Sequence, residues 1–241
     1  MRKKFCIIFL IFICLSIIGF EFWIQKSAFY SKNLKEVQTK SANSEKKQET
    51  INEKLQKEIA VINSNKDKSV IKNRETIVLG ARKEAEKKVK YKSEYYVGGY
   101  PPDNEGVCTD LVWRAFKDAG YNLKDMVDED IRNHPSDYKR IEGKPDPNID
   151  FRRVPNLYVY FKKYAQNITT ELKPNDIDNL KEWQPGDILT FDNKEHIAIV
   201  SDKRRTDGVP YIIHNAPPYA REGDEIMYWM PKITGHFRVS K

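Results

Sequence analysis

The stretch "EGVCTDLVWRAFKDAG", residues 105–120, decides how the rest of the chain is read. Val107, Leu111, Val112, Ala115, Phe116 and Ala119 recur at helical spacing and Gly120 supplies a stop, so the pattern predicts an amphipathic helix with Cys108 in its first turn. The unpaired N–H groups and the dipole at a helix start stabilise an anion, which favours the thiolate form of a cysteine placed there. A thiolate in turn works best with a histidine partner that is itself oriented by a third polar group.

Cysteine usage sharpens this. Cys6 and Cys14 lie in an apolar run, and Cys108 is the only cysteine outside it, so it has no partner for an intramolecular disulfide. The chain opens MRKK and then runs without a charge from Phe5 to Phe20, with Phe22, Trp23 and Ile24 extending the stretch past Glu21. Roughly 20 apolar residues suffice to cross a bilayer core. The residues that follow make a poor cleavage site, and Ile11, Phe12 and Ile13 before Cys14 do not suit lipidation. The expectation is an uncleaved signal anchor over residues 1–28, a single pass through the cell membrane, and a C-terminal domain outside the cytoplasm because the basic end stays inside.

The formal net charge of +7 belongs to the N-terminal part. Residues 1–95 hold 21 Lys and Arg against 11 Asp and Glu, and residues 96–241 carry a net −3. Basicity confined to a polar segment, without interleaved aromatic residues, points to anionic lipid or wall polymer rather than nucleic acid. Residues 29–71 are rich in Lys, Glu, Gln, Asn and Ser, with a thin stripe of Leu34, Val37, Ile51, Leu55, Ile59 and Ile62. They read as a charged helical or partly disordered stalk, with self-association through the stalk as the lesser alternative.

Residues 72–241 read as one α+β domain. "ETIVLGARKEAEKKV" and "VPNLYVYFKKYAQ" predict helices, a Pro- and Asp-rich span from His134 to Pro155 predicts an ordered loop, and "DILTFD", "HIAIVSD", "PYIIHN", "EIMYWM" and "HFRVS" predict short strands. Among His134, His196, His214 and His236, the second opens a strand and the third ends the next one, so an antiparallel hairpin brings them together. A buried helix-start thiol with hydrogen-bonded strand histidines is the structural alternative.

Resemblance adds weight to the chemical reading. The helix-start cysteine, then "WQPGDIL", "HIAIV" and "IIH" resemble the NlpC-type branch of the papain-like cysteine peptidases and amidases, which cut cell-wall peptides. More narrowly, "GVCTDLVWRA", "NIDFRRVPNL", "PGDI", "HIAIVSD", "IHN" and "ITGHFR", in that order over about residues 72–241, resemble a YijF-like bacterial envelope family of unknown function. The resemblance implies a papain-like NlpC-type fold: N-terminal helices, the nucleophile at a helix start, and a small antiparallel sheet. It implies Cys108 as nucleophile, His196 as base and His214 as orienting residue. It further implies an oxyanion hole built on the Cys108 N–H, helped by a tyrosine of the preceding loop, either Tyr96 or Tyr100. Thr109 and Asp110 stand where such enzymes usually carry Ser and Gly, and 88 residues separate Cys108 from His196, a long interval.

Arg152 and Arg153, beside Asn156, offer planar recognition of a carboxylate, and wall stem peptides carry carboxylates in abundance. The structural alternative is an arginine tied to Asp150 or another acid. Asp110 reads more readily as a charge at a helix N-terminus than as a catalytic acid. The expected activity is hydrolysis of an amide bond in peptidoglycan stem peptides through a thioester, with no cofactor and no metal. A silent peptide-binding module of the same fold is the alternative. A metal hydrolase using the histidines with Asp192 or Asp202 lacks any ligand spacing to support it, and a pure envelope spacer leaves Cys108 unexplained.

Overall fold

Strands whose residues are apolar almost without interruption are buried on both faces, and this property organises the domain. The computed structural model describes residues 32–33, 35–40, 51–64, 68–139, 141, 144–229 and 232–239. The chain divides into two units, Met1–Thr50 and Ile51–Lys241. In the first, residues 35–40 are helical and exposed. The apolar run at residues 5–24, and with it the expected anchor, lies outside the described residues. Among the described residues no helix is long and apolar enough to cross a membrane.

The second unit contains α1 (residues 51–64), α2 (Lys68–Glu86), α3 (Cys108–Asp118), α4 (Leu123–Asn133), α5 (Val154–Tyr164), α6 (Ile177–Leu180) and α7 (Ile226–Trp229). Its strands are β1 (Lys90–Tyr91), β2 (Glu105–Gly106), β3 (Gln166–Asn167), β4 (Ile188–Phe191), β5 (His196–Arg204), β6 (Pro210–Ala216), β7 (Tyr219–Gly223) and β8 (Ile233–Arg238). They form one eight-stranded sheet in the order β2-β1-β7-β6-β5-β4-β8-β3. The β1/β2 pair is parallel and the other pairs are antiparallel.

The α+β architecture agrees with the sequence pattern, but the papain-like NlpC-type fold with a small antiparallel sheet does not. The sheet is mixed, has eight strands and is covered on both sides. Side chains alternate across it. Ile197, Ile199 and Ile213 enter a core with α2, α3 and α5, whereas Ala198, Val200 and Ile212 enter a second core with Leu55, Ile59, Trp183 and Ile226. Leu55 and Ile59 of α1 are 0% and 8% exposed, so part of the lysine- and glutamate-rich segment packs on the sheet. "EIMYWM" is not a strand: β7 ends at Gly223 and Ile226–Trp229 turn as a short helix. Ile226, at its start, is fully buried in the second core.

Helix α3 lies close against α2. A Cβ added at Gly80 would meet Ala115 Cα at 3.0 Å, so the missing side chain is what permits that approach. The start of α3 is closed by Asp110, whose Oδ2 accepts the Val107 N–H at 2.7 Å. The same carboxylate accepts Trp113 Nε1 at 3.0 Å and holds Arg152 through Nε at 2.7 Å and Nη2 at 2.9 Å. Asp110 is fully buried, and this ion pair anchors the Asp150–Arg152 turn against the helix start.

Candidate active site

Cys108 begins α3, as its spacing requires, and is 6% exposed. Gly106, two residues earlier, leaves no room for a side chain: a Cβ there would lie 2.8 Å from Asp110 Cβ. The Gly106 carbonyl accepts Asn215 Nδ2 at 3.1 Å, which ties the entrance of α3 to β6 beside His214. The registered pairs between β5 and β6 end at Ile199 with Ile213, and β5 continues to His196. The N–H groups of Ile197, next in the chain to His196, and of Thr109 and Cys108 lie near enough to the Cys108 sulfur to favour its charged form. Helix start and strand start thus approach each other near the sulfur.

The donors do not make Cys108 a resting thiolate. Burial pushes the thiol up to about 11, and the charge of Asp110 adds to the rise against the three N–H groups. The helix-start argument gave the opposite direction because it counted the dipole and not the desolvation.

His196 and His214 meet. His196 Nε2 lies 2.7 Å from His214 Nδ1, and the rings stand at 77°. The register explains the meeting, since His214 faces β5 near Ala198 and a diagonal cross-strand neighbour is within reach of a ring. The His196 ring stacks on Trp229 at 4.9 Å and 19°, with Phe191 at 6.0 Å. Burial lowers the His196 pKa to about 3, reinforced by His214 and Arg221, so the imidazole is neutral over the ordinary pH range.

Beyond His214 stands a carboxylate. Glu225 Oε2 is 3.1 Å from His214 Nε2, within ion-pair reach though off the line of a full hydrogen bond. Arg221 grips the same carboxylate, Nε to Oε1 at 2.6 Å and Nη2 to Oε2 at 2.8 Å, while its Nη1 donates to the Ala216 carbonyl at 2.9 Å. His214 and Arg221 hold the Glu225 carboxyl down to about 2.

A cavity of about 530 Å³ opens beside Cys108, lined among others by Tyr91, Ser93, Arg153, Lys194 and Glu195. Residues 78–239 match the family described as a domain of unknown function (DUF1287). The chain belongs to the DUF1287 family. It is 36% identical over 168 residues to the uncharacterized protein YijF of Escherichia coli strain K12, covering 66% of this chain and 78% of that protein. Two crystal structures of an N-acetylmuramoyl-L-alanine amidase from Bacteroides uniformis ATCC 8492 each cover 70% of this chain and 100% of their own. Their TM-scores are 0.41 and 0.42, at 13% and 12% identity.

Within this DUF1287 domain the remaining candidates are spread out. Arg153 lines the Cys108 cavity, with Nη1 3.4 Å from Asp150 Oδ1. Arg152 touches the cavity, but its guanidinium is committed to Asp110 and to the Glu94 carbonyl. Asp110 is closed off in that pair and Asn156 is buried, with Nδ2 donating to the Asp150 carbonyl, so neither presents itself to a ligand. Tyr96 donates its hydroxyl to Glu105 Oε1 at 2.7 Å, and its ring lies under Arg152. Tyr100 stacks on Trp113 and Phe151 and lines a different cavity of about 460 Å³. Neither lines the Cys108 cavity; Tyr91 does, and its hydroxyl pKa is raised by burial and then by the adjacent Cys108.

His236 is locked between Asp187 Oδ2 at 2.9 Å and the Thr169 carbonyl at 2.7 Å, stacked on Trp183, and His134 pairs with Asp130 at the surface. Asp202 pairs with Arg82, and Asp192 lies 3.6 Å from Lys232. Sequence reasoning missed Glu225, Arg221, Trp229, Tyr91 and Lys194. The Arg-x-x-x-Glu spacing of residues 221 and 225 is visible in the chain, but only the pairing of His214 with Arg221 across β6 and β7 gives it meaning.

Proposed function

We propose that the domain is a cysteine hydrolase that opens an amide bond in a wall peptide through a thioester. The observation that carries the reading is the approach of a helix-start thiol to the start of β5: the Ile197 N–H lies near the sulfur, and the neighbouring residue His196 is 2.7 Å from a second histidine. His196 takes the thiol proton as the sulfur bonds to the substrate carbonyl carbon, and the amine leaves carrying that proton. Water then attacks the thioester, its proton passing by His196 to the departing sulfur, so the acid is released and the thiol restored. The N–H groups at the start of α3 and the Tyr91 hydroxyl supply donors for the oxyanion. Arg153 and Lys194 on the cavity wall suit a substrate carboxylate. This chemistry belongs outside the cytoplasm, with residues 1–28 as membrane anchor.

The test incubates the full chain with intact peptidoglycan, compares it with Cys108→Ala, and identifies released fragments by mass spectrometry. Fragments from the wild type alone support the hydrolase and name the bond. Equal release, or none, removes it.

One observation favours the alternative, a silent wall-binding module: the Cys108 thiol is buried and pushed up to about 11. Retention of the chain on peptidoglycan without new fragments, unchanged in Cys108→Ala, would establish that reading instead.

A further inference from the structure

An imidazole-to-imidazole hydrogen bond has two possible directions, and only one of them leaves His196 able to accept a proton at its free nitrogen. A neutral imidazole carries one N–H. With His196 Nε2 and His214 Nδ1 at 2.7 Å, whichever ring donates determines where the other's hydrogen sits. The resolution lies one residue further along. Glu225 is acceptor-only when ionised, and its Oε2 stands 3.1 Å from His214 Nε2. The charge of that carboxylate, close to Nε2 though off the line of a full hydrogen bond, favours the His214 tautomer with its hydrogen there; Nδ1 is then bare, and His196 Nε2 donates to it. That leaves the lone pair on His196 Nδ1, the nitrogen that the hydrolase reading needs as its base.

We propose that Glu225, held by Arg221, is a positioning residue that fixes the tautomers of both histidines so that His196 is a base at Nδ1. This rests on the hydrolase reading. The groups that converge on Glu225 are few and come from different elements. β7 sets Arg221 opposite His214 in the register, and the guanidinium grips both carboxylate oxygens while anchored to the Ala216 carbonyl. Gly223 keeps the approach open, since a Cβ there would lie 3.0 Å from Glu225 Oε1. The clamp also keeps the carboxyl ionised, and therefore acceptor-only, down to low pH. It acts through two rings, which separates it from a residue that touches substrate.

The test reads tautomers directly, by two-bond proton–nitrogen correlations on the full chain labelled with 15N-histidine, beside the rate of fragment release from peptidoglycan. The wild type is expected to show both His196 and His214 as Nε2–H tautomers. Glu225→Ala should move part of the His196 population to Nδ1–H and slow release at least about tenfold, the scale on which a correctly held base acts. Glu225→Gln, which keeps an acceptor oxygen, should retain the wild-type tautomers and most of the rate. A wild type with His196 as Nδ1–H, or a Glu225→Ala spectrum with unchanged tautomers, overturns the proposal. If Glu225→Ala fails to fold, the wild-type spectrum together with Glu225→Gln decides by the same criteria. The tautomer readout stands apart from hydrolysis: a wild type that cuts nothing removes the hydrolase, while the tautomers still report on Glu225.

Discussion

His196 Nε2 and His214 Nδ1 lie 2.7 Å apart, burial holds His196 neutral down to about 3, and burial of Cys108 keeps its thiol protonated up to about 11. At rest, therefore, Cys108 is a thiol and His196 a neutral imidazole, not thiolate and imidazolium. In the proposed hydrolase, substrate would draw the proton off the sulfur, in contrast to a site that keeps a preformed nucleophile.

Alkylation of Cys108 should show this. Iodoacetamide reacts with the thiolate, so the rate should climb by about tenfold per pH unit from pH 6 towards 10 with no plateau below about 10. A flat rate between pH 5 and 8 would reveal a stabilised thiolate and refute the neutral resting thiol.

Acid stability should carry the signature of His196. Its folded pKa, about 3, lies below the ordinary value of 6.5, so the unfolded chain takes up the proton first and stability is lost as pH falls from 6.5 towards 3. Between pH 6.5 and 5 this amounts to about 2 kcal/mol at most. Glu225 and Glu222, lowered to about 2, add their losses only below their unfolded values near 4.5, where carboxylates protonate. Urea unfolding at pH 7 and pH 5 should therefore show a smaller drop for His196→Gln than for wild type. Equal drops would mean that His196 is not held neutral by the fold.

Asp110→Asn should cost about 3–5 kcal/mol, because it leaves the Arg152 charge buried without its partner and weakens the closure at Val107. Chemical denaturation measures it. A variant of wild-type stability that fails to release fragments would instead place Asp110 in the chemistry.

Arg153→Gln should raise KM for carboxylate-bearing peptides by several-fold, with kcat changed less, since a wall contact made equally in ground and transition states affects binding. Amidated peptides should lose this sensitivity. The same KM increase on amidated substrates would remove the carboxylate role.

Leu55→Ala in α1 should destabilise the domain by about 2–5 kcal/mol, the range for emptying a closed apolar site. An unchanged unfolding midpoint would show that α1 is dispensable to the second core.

What the chain reveals by itself is local. The period of "GVCTDLVWRAFKDAG" places Cys108 at a helix start, and the apolar runs flanked by turns place His196 at the beginning of one strand and His214 near the end of the next. These follow from neighbours a few residues apart, where helical and strand periodicities act. The near-continuous apolar character of "DILTF" and "HIAIV" also carries the two-sided burial of the sheet, which the expectation of a small antiparallel sheet overlooked. Tertiary structure alone decided the rest. Glu225 matters because a register sets Arg221 opposite His214. Arg152 is spent because a turn 42 residues away meets Asp110, and Tyr91 replaces Tyr96 and Tyr100 beside the sulfur because the loop folds that way. The charge state of Cys108 reversed for the same physical reason: a helix start acts through adjacent atoms, whereas desolvation depends on everything that closes over the site.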